Sequence, residues 1–373
     1  MAQDQVRIGI IGAGFAQTTQ IPGFVNCRGA RLVAIASAGR EHAEEVARAF
    51  GIAQVESDWR SLVARDDVDL VSIVTPVVTH CEMTLAALEH GKAVLCEKPM
   101  AMDAEEARRM TESAREQRLL ALIDHELRFL PGRLQMRELI QRGDLGKIKH
   151  AGVLFRSDSR ADPNRPWNWW SDKNQGGGAL GAIASHIIDG FRWVLSTEID
   201  EVTCNLATHI RERKDHEGRL RPVTSDDETN LLLRFSDSEL IEGATGNVSI
   251  SMVEAGPPLH RFEVFGERGA LRVEGAGELW QSNAGDGDWK RVSVDPGDLA
   301  PGMSDNGWAR GFTVFSQKIV DALRAGETTV AGAATFEDGY RTQLVLDAAR
   351  RSNDTRCGER PISKAVKNEN CKF

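Results

Sequence analysis

An apolar strand that ends directly in two glycines restricts the fold of this chain more than any other stretch. Residues 6–11 are rich in Val and Ile, which is typical of a buried parallel strand, and Gly12-Ala13-Gly14 follows at once. Two glycines one residue apart allow a tight turn and let backbone N–H groups approach a phosphate at a helix N-terminus. Gln17 occupies the third position of G-x-G-x-x-G, so an ordinary glycine-rich turn is the alternative. The residues predicted to contact a dinucleotide here are Gly12, Gly14, Phe15 and Ala16.

Composition excludes several classes of protein. The 373 residues carry a formal net charge of −9 with no long basic run, which argues against a nucleic-acid partner. No stretch approaches the ~20 apolar residues of a membrane span, and the first residues lack the basic and apolar regions of a signal peptide. The 6 cysteines are scattered without a C-x-x-C pair. We therefore expect a reduced, cytoplasmic protein with no metal site and no membrane partner.

Strands and helices alternate through the first third of the chain. After the first strand, strand segments are predicted at 31–37, 69–74, Ala93–Cys96 and 119–123, and helical segments at 41–50, 59–64, 79–90 and 103–117. Asp103 and Glu106 form a capping box at the start of the last of these helices. The alternation predicts a doubly wound parallel sheet, with a nucleotide-binding domain over residues 1–124.

The end of the second strand bears on the choice between NAD and NADP. A ribose-binding acid normally stands there, about twenty residues after the glycines, but this sequence reads Ala36-Ser37-Ala38-Gly39-Arg40. With no carboxylate to repel a 2′-phosphate, and with Ser37 and Arg40 to receive one, NADP is slightly favoured over NAD. Alternatively, Arg40 is a solvated residue in the first turn of the next helix.

Two other strand ends carry candidate side chains, because ligands of open parallel sheets bind beyond the carboxyl ends of the strands. Thr75-Pro76 is expected beside the nicotinamide half of a dinucleotide, and His80 either contacts a ribose or caps its helix. Glu97-Lys98-Pro99 follows the strand Ala93–Cys96, and the proline restricts Lys98, which would aim its ammonium. The alternative is a surface lysine that opens the next helix.

Several of these segments together resemble one family. The sequence is similar to the glucose–fructose oxidoreductase, inositol dehydrogenase and rhizopine catabolism (Gfo/Idh/MocA) family from the N-terminus to about residue 350. The segments that carry the resemblance are Thr75-Pro76-Val77-Val78-Thr79-His80, Ala86-Ala87-Leu88-Glu89-His90-Gly91-Lys92, Glu97-Lys98-Pro99, His125-Glu126-Leu127-Arg128-Phe129-Leu130-Pro131, Gly143-Asp144-Leu145-Gly146-Lys147-Ile148 and the stretch from Gly176 to Asp189.

The resemblance implies an N-terminal Rossmann domain and a C-terminal α/β domain, residues 125–373, with a large, open, mostly antiparallel sheet. In most members that sheet is an oligomer face, so a homo-oligomer, a dimer or tetramer, is expected. The sequence agrees, with β-rich segments at 147–157, 198–210, 228–235, 239–251, 261–266 and 270–273, most of them joined by turn-rich links. Helical stretches at 308–325 and 336–351 end the fold.

The stretch after Gly176-Gly177-Gly178 resembles the family's catalytic helix. Helical spacing places Ala182, His186 and Asp189 on roughly one face. The resemblance implies that His186, with Lys98, handles the proton of a substrate alcohol, whereas from the sequence alone a core histidine is the simpler reading. The family usually has Asp where this chain has Ala182. Either Lys98 and His186 act alone, or Asp189 substitutes, or dehydrogenase activity has been lost.

Three tryptophans lie just before this helix. The family's common Trp-Arg pair aligns with Trp169-Trp170, so Trp169 fits the cofactor side and Trp170 replaces the arginine. Because sugar rings have apolar C–H faces that lie on aromatic planes, we expect Trp167 and Trp170 to contact a carbohydrate, with Lys98, His186 and Asp189. The alternative, which is compatible, is that the rings pack the loop against the sheet.

These predictions combine into one functional hypothesis with two rivals. The leading hypothesis is an NAD(P)-dependent oxidoreductase that transfers hydride between nicotinamide and a secondary alcohol of a sugar, cyclitol or related polyol. The first rival is an enzyme that holds the dinucleotide tightly and cleaves a glycosidic bond through transient oxidation. The second is a non-catalytic NAD(P)-binding regulatory protein, for which the loss at Ala182 would be in keeping.

Overall fold

The computed structural model describes residues 4–361. The strands are β1 (Val6–Ile11), β2 (Ala30–Ala36), β3 (Gln54–Val55), β4 (Leu70–Ile73), β5 (Ala93–Cys96), β6 (Ala121–Ile123), β7 (Ile148–Arg156), β8 (Ile199–Ala207), β9 (Glu212–Lys214), β10 (Leu220–Pro222), β11 (Glu228–Phe235), β12 (Ile241–Ser251), β13 (Leu259–Gly266), β14 (Gly269–Glu274), β15 (Glu278–Asn283), β16 (Lys290–Val292) and β17 (Ala334–Thr335).

The helices are α1 (Gln20–Val25), α2 (Arg40–Phe50), α3 (Trp59–Val63), α4 (His80–Glu89), α5 (Ala104–Gln117), α6 (Pro131–Gln141), α7 (Ser185–Leu195), α8 (Gly307–Ala325) and α9 (Phe336–Thr355). A π-helical segment, Leu180–Ala184, leads directly into α7. In the part of the chain that the structure describes, none of these helices is long and apolar enough to cross a bilayer.

The chain forms two compact units that are not contiguous in sequence. The first comprises the described residues through Pro131 together with Asp295–Tyr340, and the second comprises Gly132–Val294 and the described residues from Arg341. This division differs from the predicted boundary between residues 124 and 125 in two ways. The first unit extends slightly further, and a late segment with α8 and β17 returns to it.

The sheet of the first unit confirms the predicted Rossmann architecture. Its strand order is β17-β6-β5-β4-β1-β2-β3, parallel throughout except for β17, which pairs antiparallel with β6. The order reverses between β1 and β4, and that switch point is where open α/β sheets bind their ligands. The sequence did not predict the two edge strands β3 and β17, because each has only two residues and no period to detect.

Apolar clusters cover both faces of this sheet. Strand residues alternate between them: Ile8 and Ile10 belong to one cluster, while Ile11 belongs to the other. The α8 helix supplies Phe312 and Phe315 to the first cluster, and the ring of Phe312 meets Phe24 of α1 edge to face with centroids 5.4 Å apart. This packing explains why residues 295–340 fold with the first unit.

The second unit contains the predicted large, mostly antiparallel sheet. Its order is β16-β15-β14-β13-β7-β12-β11-β8, and β7 and β12 form its one parallel pair in the described chain. The α7 helix packs on it through Phe191, whose ring lies 4.8 Å from Phe262 and 5.5 Å from Phe235, centroid to centroid. The prediction missed α6, the β9–β10 hairpin, β15 and β16, where polar residues obscure the pattern.

Edge strand β8 is partly capped by side chains of α9 within the second unit. Ser352 Oγ accepts a hydrogen bond from the Cys204 N–H at 2.9 Å, and Asn353 Oδ1 accepts one from the Leu206 N–H at 2.9 Å. An edge strand has unpaired backbone donors, and these contacts satisfy two of them. They also fix the C-terminal helix to the sheet.

We expect Phe312→Ala to lower the free energy of unfolding of the first unit by about 3–5 kcal/mol, because Phe312 is fully buried and its loss leaves a cavity. Urea-induced unfolding followed by circular dichroism measures the change. Val25→Ala is the control, since Val25 is exposed on α1 and its truncation should change the free energy by no more than about 0.5 kcal/mol. Equal, small effects of the two substitutions would mean that residues 295–340 do not stabilise this unit.

Candidate functional site

The glycine turn after β1 is shaped by a close backbone approach. Gly12 has φ +100°, and a Cβ there would lie 2.0 Å from the carbonyl oxygen of Val74 after β4, so only glycine fits. The Gly12 N–H donates to the Ala36 carbonyl at the end of β2, at 2.8 Å. At Gly14 a Cβ would meet no atom within 4 Å, so space is open above the turn. The turn therefore leaves its backbone accessible at the switch point.

The residues after Gly14 divide into an exposed and a buried position. Phe15 is 50% exposed, whereas Ala16 is fully buried and opens a 3₁₀ turn, Ala16–Thr18, that precedes α1. The helix after the glycines is thus short and begins with a tighter turn than the motif predicts. Of this pair, only Phe15 has a side chain that can reach a ligand.

Ser37 and Arg40 lie at the carboxyl end of β2, as predicted. Ser37 is half-buried, and Arg40 is the first residue of α2. The Arg40 side chain is 61% exposed and its Nε pairs with Glu44 Oε1 at 2.9 Å. An exposed pair of this kind contributes little, so the guanidinium can exchange this partner for another anion.

His80 joins the loops that follow β4 and β5. Its ring is buried, with Nε2 3.0 Å from the carbonyl oxygen of Thr75 and Nδ1 3.1 Å from that of Pro99. Burial lowers the pKa of His80, and the hydrogen bonds to backbone oxygens oppose that effect. His80 makes no side-chain cap on its own helix, so its structural role is to tie the two loops together.

Thr75 and Pro76 are both half-buried at the end of β4. Thr75 Oγ1 lies 2.8 Å from Thr79 Oγ1, and the Thr79 hydroxyl donates to the Pro76 carbonyl at 2.8 Å. These bonds stabilise the short 3₁₀ turn that starts α4. The loop therefore presents its threonine in a fixed orientation.

Glu97 and Lys98 follow β5 with different exposure. Glu97 is buried, while Lys98 is half-buried and its backbone N–H donates to Glu97 Oε2 at 3.2 Å. The peptide bond from Lys98 to Pro99 is cis. The motif thus buries its acid beneath the sheet edge and leaves the lysine side chain partly accessible.

Two residues that the sequence did not single out complete this end of the sheet. Gln20 Nε2 donates to Glu97 Oε1 and, at 2.8 Å, to Asp124 Oδ2, and all three side chains are buried. Burial raises the pKa of Glu97, and burial together with the nearby Glu126 and Glu97 raises that of Asp124 well above its usual range. The two carboxyl groups are within hydrogen-bond reach of each other, and burial favours a shared proton on the pair.

His186 and Asp189 lie in the second unit, both buried on α7. The π-helical segment Leu180–Ala184 precedes them, and its wider turn changes the phase that regular helical spacing predicted for Ala182. Ala182 is half-buried. Such π segments are frequent at functional sites, where they redirect a side chain.

Asp226, at the turn before β11, anchors the start of this helical region. Its Oδ2 accepts hydrogen bonds from the Leu180 N–H at 2.7 Å and from the Thr229 hydroxyl at 2.8 Å. Burial raises the pKa of Asp226, and these donors oppose the shift. The sequence contained no signal for this role, because the contact spans two separate segments.

The tryptophan loop lies beside the same helix start. Trp170 is 7% exposed and lies in a 3₁₀ turn, Trp169–Ser171. Its backbone N–H donates to Asn168 Oδ1. Trp167 and Trp169 are half-buried. The Trp167 indole N–H donates to the Pro222 carbonyl at 3.0 Å, which fastens the loop to the β9–β10 hairpin. This contact is with the separate two-stranded β9–β10 sheet, whereas the prediction named the large sheet.

Comparison with known proteins identifies the family. One family model, an oxidoreductase family with an NAD-binding Rossmann fold, matches residues 6–125. A second, the GFO/IDH/MocA C-terminal domain, matches residues 134–272. The chain belongs to the GFO/IDH/MocA oxidoreductase family. The predicted resemblance is confirmed.

Relatives within the GFO/IDH/MocA family cover nearly the whole chain. Levoglucosan dehydrogenase from Pseudarthrobacter phenanthrenivorans is 32% identical over 339 residues, 84% of this chain and 85% of that protein. The solved structure of levoglucosan dehydrogenase in complex with NADH and L-sorbose has a TM-score of 0.84 at 27% identity, and covers 96% of this chain and 100% of that one. Human glucose-fructose oxidoreductase domain-containing protein 2 is 27% identical over 366 residues, 94% of this chain and 92% of that protein.

The residues at the switch point of the first unit are compatible with binding of NAD, the cofactor named for this oxidoreductase family. Gly12 forms the close turn at the switch point, Gly14 leaves room above it, and Thr75 and Lys98 stand at neighbouring strand ends. No group of His, Cys, Asp or Glu side chains that could hold a metal ion is found among residues 4–361.

The raised pKa values of Glu97 and Asp124 predict how the stability of the protein depends on pH. Because the pKa values of Glu97 and Asp124 are raised in the folded state above their unfolded values near pH 4, the free energy of unfolding should fall as pH rises above that value, by up to about 1.4 kcal/mol per pH unit. Asp124→Asn removes the titrating group, so we expect a flatter profile and higher stability at pH 7. Urea unfolding at pH 5, 6, 7 and 8 measures it.

The control for this prediction is Asp58→Asn. Asp58 is the N-cap of α3, where asparagine caps equally well, so its profile should match the unsubstituted protein. If Asp124→Asn left the slope of stability against pH unchanged, the buried pair would not hold the proton.

Proposed function

We propose that this GFO/IDH/MocA protein is a dehydrogenase that transfers hydride between a nicotinamide cofactor and a secondary alcohol of a sugar or related polyol. The observation that carries the proposal is the position of Lys98 at the carboxyl end of β5, next to the switch point of an NAD-binding sheet. The similarity to levoglucosan dehydrogenase over most of both chains supports a carbohydrate as the substrate. A cytoplasmic location would give such an enzyme its cofactor pool.

The proposed cofactor contacts in the first unit follow from its geometry, and that of Trp169 follows from the family resemblance. The backbone at Gly12 and Gly14 would receive the pyrophosphate, and Phe15, Thr75, Pro76, Glu97 and Trp169 are proposed cofactor contacts. His80 would act on the cofactor indirectly, because both its nitrogens are engaged with the loops that carry Thr75 and Pro99. When bound, the nicotinamide supplies an acceptor or donor of hydride.

The protein's own contribution is to orient the alcohol and to move its proton. Lys98 would donate a hydrogen bond to the reacting oxygen, and its half-buried position limits the directions that its ammonium can take. His186 would accept the alcohol proton during oxidation, with Asp189, three residues on, as its partner in orientation. Since Ala182 supplies no carboxylate, proton transfer relies on these side chains.

The same departure at Ala182 favours a second candidate, a non-catalytic NAD(P)-binding regulatory protein. Alanine removes an acceptor and a charge from the substrate side without affecting the glycine turn. The two candidates differ in turnover, because the regulatory protein would bind the dinucleotide without consuming any polyol. A kinetic test of Lys98 separates them.

We expect Lys98→Ala to lower kcat by about 10²–10⁴-fold with little change in NAD⁺ affinity, since general acid–base groups contribute that much. The substrate is the best hit from a thermal-shift screen of sugars and polyols with NAD⁺ or NADP⁺, because ligands raise the melting temperature by mass action. Lys318→Ala, at an exposed position of α8, is the control. Near-normal turnover of Lys98→Ala would remove Lys98 from the mechanism, and absence of turnover in every case would favour the regulatory candidate.

The preference for NADP over NAD is also a proposal, and it rests on Arg40. We expect Arg40→Ala to raise the KM for NADP⁺ by about 10- to 100-fold, because a hydrogen bond to a charged phosphate is lost, and to leave the KM for NAD⁺ unchanged. Arg48→Ala, exposed later on the same helix, is the matched control. An equal effect on both cofactors, or none, would overturn the proposed role of Arg40 in selecting NADP.

We further propose that the protein is a homo-oligomer through the sheet of the second unit. Along β11, alternate residues are buried and exposed, so one face of the sheet is covered and the other is open. Leu232, on the open face, is 64% exposed. An apolar side chain in the middle of an open sheet face is typical of an interface between subunits.

A further inference from the structure

A loop in the second unit, between β7 and the π-helical segment, is held in shape by one buried arginine. Arg213, on β9, is 4% exposed and donates to the carbonyl oxygens of Arg160, Asp162 and Arg165. Three carbonyls that face one guanidinium fix the backbone of the loop. The backbone that carries the Arg160 side chain is therefore held by the fold.

The Arg160 guanidinium stacks on an aromatic ring and lacks a counter-charge. Its Cζ lies 4.1 Å from the centroid of the Trp170 ring. Within residues 4–361, no carboxylate forms an ion pair with it and no oxygen accepts a hydrogen bond from its guanidinium, whereas Arg156 pairs with Glu254 and Arg192 with Glu198. Burial lowers the pKa of Arg160 to about 10, and the nearby Arg165 and Arg213 add to the effect.

Burying the Arg160 guanidinium without an anion is unfavourable. The neighbouring arginines add to this unfavourable energy. Arg165, which donates to the Ser159 carbonyl, and Arg213 are themselves cations, and their charges disfavour the charged form of Arg160. Asp162 Oδ1 accepts a hydrogen bond from the Asn164 N–H at 2.8 Å, and Asp162 forms no ion pair with Arg160 among residues 4–361. An anion at the Arg160 guanidinium would offset the cost of burying this charge.

The same loop is attached to the helix that carries His186. A Cβ at Gly177 would lie 2.2 Å from the Trp170 carbonyl oxygen, so the backbone after Trp170 touches the start of the helical region. The Ser225 hydroxyl donates to that carbonyl at 2.8 Å, next to Asp226, which anchors Leu180. Arg160, Trp170 and the helix of His186 therefore belong to one rigid arrangement within the second unit.

We propose that Arg160 binds a carboxylate of the substrate, so that the protein acts on a sugar acid rather than a neutral sugar. This inference rests on the dehydrogenase function proposed above. A planar guanidinium with a fork of N–H donors matches the two oxygens of a carboxylate, and one cation balances one negative charge. The Trp170 ring beneath it holds the guanidinium plane and blocks one face. A phosphate is the rival anion, but the neighbouring arginines that would share its second charge are committed to carbonyls.

The test compares matched substrates with the full-length protein and NAD⁺ or NADP⁺. The pairs are glucose with glucuronate and galactose with galacturonate, and glucose 6-phosphate is the phosphate arm. We expect kcat/KM to be about 10- to 100-fold higher for the acid of each pair, the effect of one hydrogen-bonded charge. Arg160→Gln should lower kcat/KM for each acid to the value for its neutral partner, and dinucleotide binding reports whether the variant is folded.

The matched control is Arg219→Gln on the β9–β10 hairpin. Arg219 is an exposed arginine with its own carboxylate partners, Asp215 and Glu217, so its loss should leave the preference intact. If Arg160→Gln does not fold, Arg160→Lys keeps the charge but lacks the fork, and it should retain only part of the preference.

The outcomes separate this inference from the proposed function. Equal kcat/KM for acids and neutral sugars, or an acid preference that survives in Arg160→Gln, would overturn the assignment of Arg160. A preference for the sugar phosphate over the acid would replace carboxylate with phosphate. If no sugar is turned over, but glucuronate or galacturonate raises the melting temperature of the parent and not of Arg160→Gln, the anion site stands and the dehydrogenase function fails.

Discussion

The first unit depends on a buried set of hydrogen bonds that joins four loops at one edge of its sheet. Gln20 reaches from α1 to Glu97 after β5 and to Asp124 after β6, and His80 connects the loops after β4 and β5. These side chains hold the loops in register with the turn at Gly12. Because parallel strands end at the same edge, a small number of side chains is sufficient to order every loop that faces the switch point.

Burying these carboxyl groups at the sheet edge is unfavourable because they lose their hydration. This cost indicates that the network has a role other than stability. Burying Glu97 and Asp124 side by side raises the pKa of both groups, which disfavours two negative charges on the pair. Gln20 donates to both carboxyl groups and partly offsets the lost hydration. A core built only for stability would use apolar residues here. The polar network is therefore best understood as support for Lys98, whose backbone N–H it contacts through Glu97.

Local signals explain which parts of the structure the sequence predicted. The turn at Gly12 and the cap at Asp103, whose carboxylate accepts from the Glu106 N–H at 2.9 Å, are set by neighbouring residues and were predicted. The bonds from Gln20 span 77 and 104 residues, so no pattern in the chain indicates them. The return of α8 to the first unit likewise depends on where Phe312 finds its partner. The π turn before α7 changes the helical phase, but no residue pattern in the sequence marks it, and it was missed for that reason.

The two departures within the segments that resemble the family, Ala182 and Trp170, lie in the second unit. The glycine turn, Thr75 and the Glu97-Lys98-Pro99 motif are as the family has them, whereas Ala182 replaces an acid and Trp170 replaces an arginine in the second unit. Trp170 carries a different arginine, Arg160, on its ring, so a cation remains beside the helix of His186 after both changes. Loss of a carboxylate makes this region more positive, and Arg160 keeps a guanidinium there although Trp170 replaces the family's arginine. A substrate that brings its own negative charge would complement both changes, which makes them consistent with altered specificity and a retained reaction.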